Sequence, residues 1–209
     1  MRLANPDYCR ELIDAGIDEY FVSLTAATAE RHDLITEVPG SFEKTLQAMR
    51  NLDEFPGVKL MTNTVVTGLS YQQVPDVVEL LRPLKHLVEM DFWCYWPMEE
   101  DDGQPELLVS HFDAWPYLRT ALQQATKYGR HVEVKNFPHC LMGEFAGALN
   151  NDQPELRIDE RFWTEFERNG FHQCAYRDVC GSKQCLGLNT AYSNHFGWHE
   201  DRLLPMPRV

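Results

Sequence analysis

The stretch Ile17-Asp18-Glu19-Tyr20-Phe21-Val22-Ser23-Leu24-Thr25 decides the fold. Tyr20, Phe21, Val22 and Leu24 follow one another with almost no polar alternation. Such a run predicts a strand covered on both faces, as in parallel sheets. Before it, residues 7–15 read as a helix closed at Gly16, since glycine tolerates the left-handed turn that ends helices. After it, Pro39-Gly40-Ser41 marks a turn with Ser41 as N-cap of a helix over residues 41–52. Phe42, Leu46 and Met49 make the apolar stripe of that helix. Phe55-Pro56-Gly57 breaks it, and residues 58–67, apolar and β-branched, predict a second buried strand.

The alternation continues. Ser70 and Gln73 form a capping-box pattern ahead of the stripe Val74, Val77, Val78 and Leu81, which stops near Pro83. Residues 87–96 predict a third strand, and Glu99-Glu100-Asp101-Asp102-Gly103 an acidic loop. Ser110 caps a helix bearing Trp115, Leu118, Leu122 and Ala125, which ends at Gly129 before a fourth strand over residues 131–137. Parallel strands joined by helical crossovers predict an α/β fold, a partial (β/α) TIM-like barrel of about half the usual eight units. After Pro138 the pattern changes to glycines, Asn150-Asn151-Asp152-Gln153-Pro154, a short helix over residues 159–168 and a run of cysteines. The organisation expected is therefore a partial barrel over 1–138 and a small cysteine-rich C-terminal extension over 139–209.

The chain has 209 residues, 44% hydrophobic and 24% charged, an ordinary globular composition. Its 19 Lys and Arg against 32 Asp and Glu leave a net charge of −13. That charge disfavours nucleic acid and anionic membranes. No apolar run approaches the length of a membrane span, and Met1 to Pro6 lacks the core of a secretion signal. A cytoplasmic setting is expected. There, cysteines gathered in the last third read as metal ligands rather than disulfides.

Cys174, Cys180 and Cys185 lie in a loop-like segment with Gly181 and Gly187, and Cys140 follows Pro138 at the end of a strand. Thiolates suit iron–sulfur clusters or zinc. The four complete the donor set of a 4Fe–4S cluster, and their spacing lacks the paired C-x2-C knuckles of a zinc ribbon. Zinc stays open as an alternative. Nearby Lys183, Arg177 and His172 are expected to favour the thiolate form. Cys9 and Cys94 read as small buried hydrophobes.

Several segments together carry a resemblance: Gly16-Ile17-Asp18-Glu19-Tyr20-Phe21-Val22-Ser23-Leu24, His32-Asp33-Leu34-Ile35-Thr36, Pro39-Gly40-Ser41-Phe42, Asn51-Leu52 and Thr62-Asn63-Thr64-Val65-Val66-Thr67. They resemble the fourth and fifth strands, with their connecting helix, of the radical S-adenosylmethionine superfamily. Phe137-Pro138-His139-Cys140, the three-cysteine run, Gly187, Tyr192 and Phe196-Gly197 are similar to the C-terminal extension of some of its members, in which cysteines hold an auxiliary 4Fe–4S cluster. The resemblance implies an enzyme type in which a 4Fe–4S cluster chelates S-adenosylmethionine and cleaves it reductively to a 5′-deoxyadenosyl radical. That radical then abstracts hydrogen from a peptide or small-metabolite substrate. It places Ser23, at a strand's C-terminal end, against S-adenosylmethionine, with Asn63 as a second residue of that pocket. It assigns Cys140, Cys174, Cys180 and Cys185 to the auxiliary cluster.

The defining C-x3-C-x2-C triplet of the superfamily does not occur in this sequence. The expectation is thus the C-terminal part of such an enzyme, unable by itself to cleave S-adenosylmethionine. A partner chain or preceding segment would complete the barrel. The alternative is a non-catalytic metal-binding or subunit-interaction module descended from one. A third reading, an acid–base enzyme using Asp33, Glu89 or Asp91, has no carboxylate pairing legible in sequence.

Overall fold

The computed structural model describes residues 2–97, 104–152, 159–168 and 170–208. The acidic run Glu99 to Gly103, and Gln153 and Pro154, lie outside the described residues. Four parallel strands form one sheet in the order β1 (Glu19–Ser23), β2 (Lys59–Val66), β3 (Leu87–Cys94) and β4 (His131–Lys135). The helices are α1 (Pro6–Asp14), α2 (Ala29–Thr36), α3 (Ser41–Asp53), α4 (Val74–Leu81), α5 (His111–Lys127), α6 (Glu160–Arg168) and α7 (Thr190–Phe196). The chain is α/β, and helical crossovers between successive parallel strands are compatible with a partial (β/α) barrel. Among the described residues no helix is long and apolar enough to cross a membrane.

Side chains alternate across a strand, so the sheet has two faces. Tyr20, Val22, Leu60, Val66, Met90, Phe92, Cys94 and Val134 are buried on one of them. They join Phe42, Leu46, Met49 and Leu52 of α3, Val77 and Leu81 of α4, and Leu118 and Leu122 of α5 in a single core. The same core takes in Met142 and Leu149, beyond β4, while Leu188, Tyr192 and Leu203 form a second, smaller cluster. The other face carries register-paired rows. Phe21, Met61, Glu89 and His131 make one; Ser23, Asn63, Asp91 and Glu133 the next; Val65, Trp93 and Lys135 the one nearest the strands' C-terminal ends.

The structure corrects several local expectations. The first strand covers only Glu19–Ser23 and is buried on alternate residues, with Phe21 48% exposed. Its apolar run is continuous, but among the described residues β1 is an edge strand with β2 as its one neighbour, and Glu19, Phe21 and Ser23 on one face are exposed. Ser41 is the first helical residue rather than the cap; Gly40, at φ 77°, precedes it. The end of α3 is instead held from α2, where Asp33 accepts from the Phe42 N–H at 2.8 Å, the Gly40 N–H at 2.5 Å and the Ser41 hydroxyl at 2.9 Å. The Ser70–Gln73 capping box does not form. Gln73 turns away to accept the Ala27 N–H at 3.2 Å, tying the loop after β1 to the start of α4, and Ser70 meets the Thr67 hydroxyl at 2.9 Å. Ser110 does cap α5, accepting from the Phe112 N–H at 3.3 Å.

Candidate functional site

The strands' C-terminal ends, where barrels place their chemistry, open onto a cavity of about 280 Å³. Val65, Trp93 and Lys135 form its floor, and Trp96, Phe162 and Phe166 are among its walls. Phe166 comes from α6 and stands edge-on to Trp96 at 5.6 Å. The expected contacts Ser23 and Asn63 lie one row deeper. They are direct register partners on β1 and β2, so the fold brings them together. Ser23 is exposed, whereas Asn63 is 8% exposed and its Oδ1 has no hydrogen-bond partner.

Asp91 and Glu133 continue that row, and Glu89 stands one row below. The carboxylate oxygens of these three lie within 4.8 Å of one another. Trp93 Nε1 donates to Asp91 Oδ2 at 3.3 Å, and Asn150 Nδ2 to Glu133 Oε1 at 2.8 Å. Lys135 Nζ is 3.7 Å from Glu133 Oε2. Burial pushes the Asp91 carboxyl up to about 6; the Trp93 bond opposes the rise, and the charges of Glu133 and Glu89 add to it. Asp91 and Glu89 carried no pairing in the sequence, and Glu133 was not singled out. Only the β3–β4 register makes them neighbours.

The four cysteines expected as metal ligands are brought together. Cys140, Cys174, Cys180 and Cys185 all line one enclosed space, closed by Tyr176, Leu188 and Leu203 to Pro205. None is in a disulfide. Backbone amides converge on their sulfurs. The Met206 N–H donates to Cys180 Sγ at 3.3 Å and the Gly187 N–H to Cys185 Sγ at 3.4 Å. Such N–H···S bonds surround thiolate-held clusters and tune their potentials. Gly187 has φ +69°, with His172 backbone 3.1 Å from where a Cβ would stand, and a Cβ on Gly181 would lie 2.0 Å from the Pro207 carbonyl oxygen. These glycines admit the chain crossings that close the space. Lys183, Arg177 and His172 are not among the main causes that shift the Cys140 and Cys185 thiols. Burial dominates at Cys140 and Cys185 and raises both. The sequence reading missed the closing segment, Leu204 to Met206, because its contribution is backbone alone. Cys9 and Cys94 are buried in the main core, as read.

No family model matches the sequence. Among curated proteins it is similar to the AdoMet-dependent heme synthase of Methanosarcina barkeri (strain Fusaro / DSM 804), at 27% identity over 157 residues. The match covers 64% of this chain and 44% of that protein, so the chain spans less than half the length of the relative.

Proposed function

This relative supports membership of the chain in the radical S-adenosylmethionine superfamily, and from that premise we propose that the chain is the auxiliary-cluster and substrate-facing part of such an enzyme. Cys140, Cys174, Cys180 and Cys185 hold a 4Fe–4S cluster, which would supply electron transfer or substrate anchoring when bound. The observation that carries this reading is the convergence of all four cysteines, and of backbone amides aimed at their sulfurs, on one space. Their sequence spacing lacks the paired C-x2-C knuckles of a zinc ribbon, which argues for a cluster over a single zinc ion.

The residues present do not fit the radical-generating cluster, because the chain has no C-x3-C-x2-C triplet. A partner chain or preceding segment supplies it, beside the open edge of β1. Residues 139–209 act as the cysteine-rich extension to the partial barrel of 1–138. Ser23 contacts S-adenosylmethionine from that open side, with Asn63 behind it, and the aromatic cavity above β2–β4 receives a peptide or small metabolite. The same cysteines would serve a non-catalytic subunit-interaction module, the reading favoured by the exposure of Phe21 and Ile17 beside that edge. Binding of S-adenosylmethionine to the completed assembly, lost in Ser23→Ala, separates the two.

Anaerobic reconstitution with iron and sulfide tests the centre. The chain is expected to gain a broad absorbance near roughly 400 nm, from thiolate-to-iron charge transfer. The Cys180→Ser/Cys185→Ser double variant is expected to lose both the band and the iron. Unchanged iron content in that variant, or zinc in place of iron on elemental analysis, overturns the assignment.

A further inference from the structure

We propose that Glu89, Asp91 and Glu133, with the side-chain oxygen of Asn63, form a binding site for a hard divalent cation of the calcium or magnesium class. The site is separate from the cysteine-lined space and does not depend on what fills it. Three carboxylates bring their oxygens within 4.8 Å of one another on two paired strands. A sheet holds such positions firmly, so mutual repulsion cannot be relieved by swinging a loop away. The cationic groups in reach serve Glu133. Lys135 Nζ is 3.7 Å from it and is also bonded to the Asn150 carbonyl at 2.8 Å, and His131 Nε2 is 3.8 Å away. Among the described residues neither Glu89 nor Asp91 has an ion-pair partner.

An independent observation lies on the neighbouring strand. Asn63, 8% exposed, is the register partner of Asp91 on the same face, and its Oδ1 is buried without a donor. Asp91 Oδ1 is in the same position, because Trp93 satisfies Oδ2 alone. Buried oxygens with no donor cost free energy unless something answers them. A water molecule would donate to them but leave Glu89 and Asp91 without an ion pair; a cation answers both. The set is all oxygen, carboxylates and one amide; His131, though 3.8 Å from Glu133, is not among the groups within 4.8 Å of all three carboxylates. Such a set selects hard ions over zinc, copper or iron.

Trp93 makes the site readable, since its indole touches Asp91. Terbium(III), an oxygen-seeking stand-in for calcium, is titrated into the full chain after chelator treatment, with excitation of tryptophan. The expected result is saturable terbium emission that calcium or magnesium displaces, the more effective competitor naming the ion. Asp91→Asn and Glu133→Gln are each expected to weaken terbium roughly tenfold or more, by removing one charged ligand. Trp93→Phe is expected to abolish most emission while calcium binding, read by calorimetry, persists. Glu89→Gln, at a less buried position, keeps the test open if Asp91→Asn fails to fold by circular dichroism. Absence of emission from the folded wild-type chain, or emission undiminished in the folded carboxylate variants, overturns the site. Iron content of the cysteine centre is unmoved by these variants, so its failure and this one are distinguishable.

Discussion

Asp33 shows how one residue can organise a connection that sequence patterns assign elsewhere. Its carboxylate sits on α2 and accepts from the amides of Phe42 and Gly40 and the hydroxyl of Ser41. The Phe42 amide is the main reason its pKa lies below the ordinary 3.8; the Gly40 amide, the Ser41 hydroxyl and the neighbouring His32 add to the effect. A depressed carboxylate stabilises the fold above its unfolded value and loses that contribution as pH falls through the folded one. Asp33→Ala is therefore expected to lower the melting temperature by a few degrees at neutral pH, the variant and wild type converging below pH ~3.8. Thermal melts at three or four pH values check this. At the same scale, Gly181→Ala puts a methyl group against the Pro207 carbonyl. It is expected to displace the closing segment and reduce cluster uptake on reconstitution, with the sheet's circular dichroism intact.

At the scale of elements, legibility followed burial. β2 and β3 are central strands with helices over one face, and their β-branched and apolar composition announced them. Phe92, fully buried at the middle of β3, is expected to cost about 3–5 kcal/mol on truncation to alanine, read as a fall in the urea midpoint. β1 looked the same in sequence, because Phe21 is apolar whether or not anything covers it. α2 escaped notice for a physical reason. It buries only His32, with Leu34 exposed, so it has no apolar stripe to read. The cysteine grouping was legible because thiols are rare and their placement uneven. The pairing of the Asp91 and Glu133 carboxylates was not, because 42 positions separate partners that only the parallel register aligns.

For the whole molecule, the telling asymmetry is between the two ends of the sheet. β4 is flanked by the segment containing Leu149, which bridges to Val134. β1 has no partner on its outer side among the described residues, and Phe21 and Ile17 stand exposed at 48% and 43% beside that edge. Unpaired apolar edges recruit other chains. The isolated chain is expected to self-associate with rising concentration, and Phe21→Lys to shift it toward the monomer, as measured by light scattering after size exclusion. The opposite pole has a temporal meaning. Met206, 26 residues downstream of Cys180, supplies an amide to its sulfur. Any inorganic centre completed there must await synthesis of the chain through Met206, and a nascent chain stalled short of it would lack one wall of the space that holds its thiols.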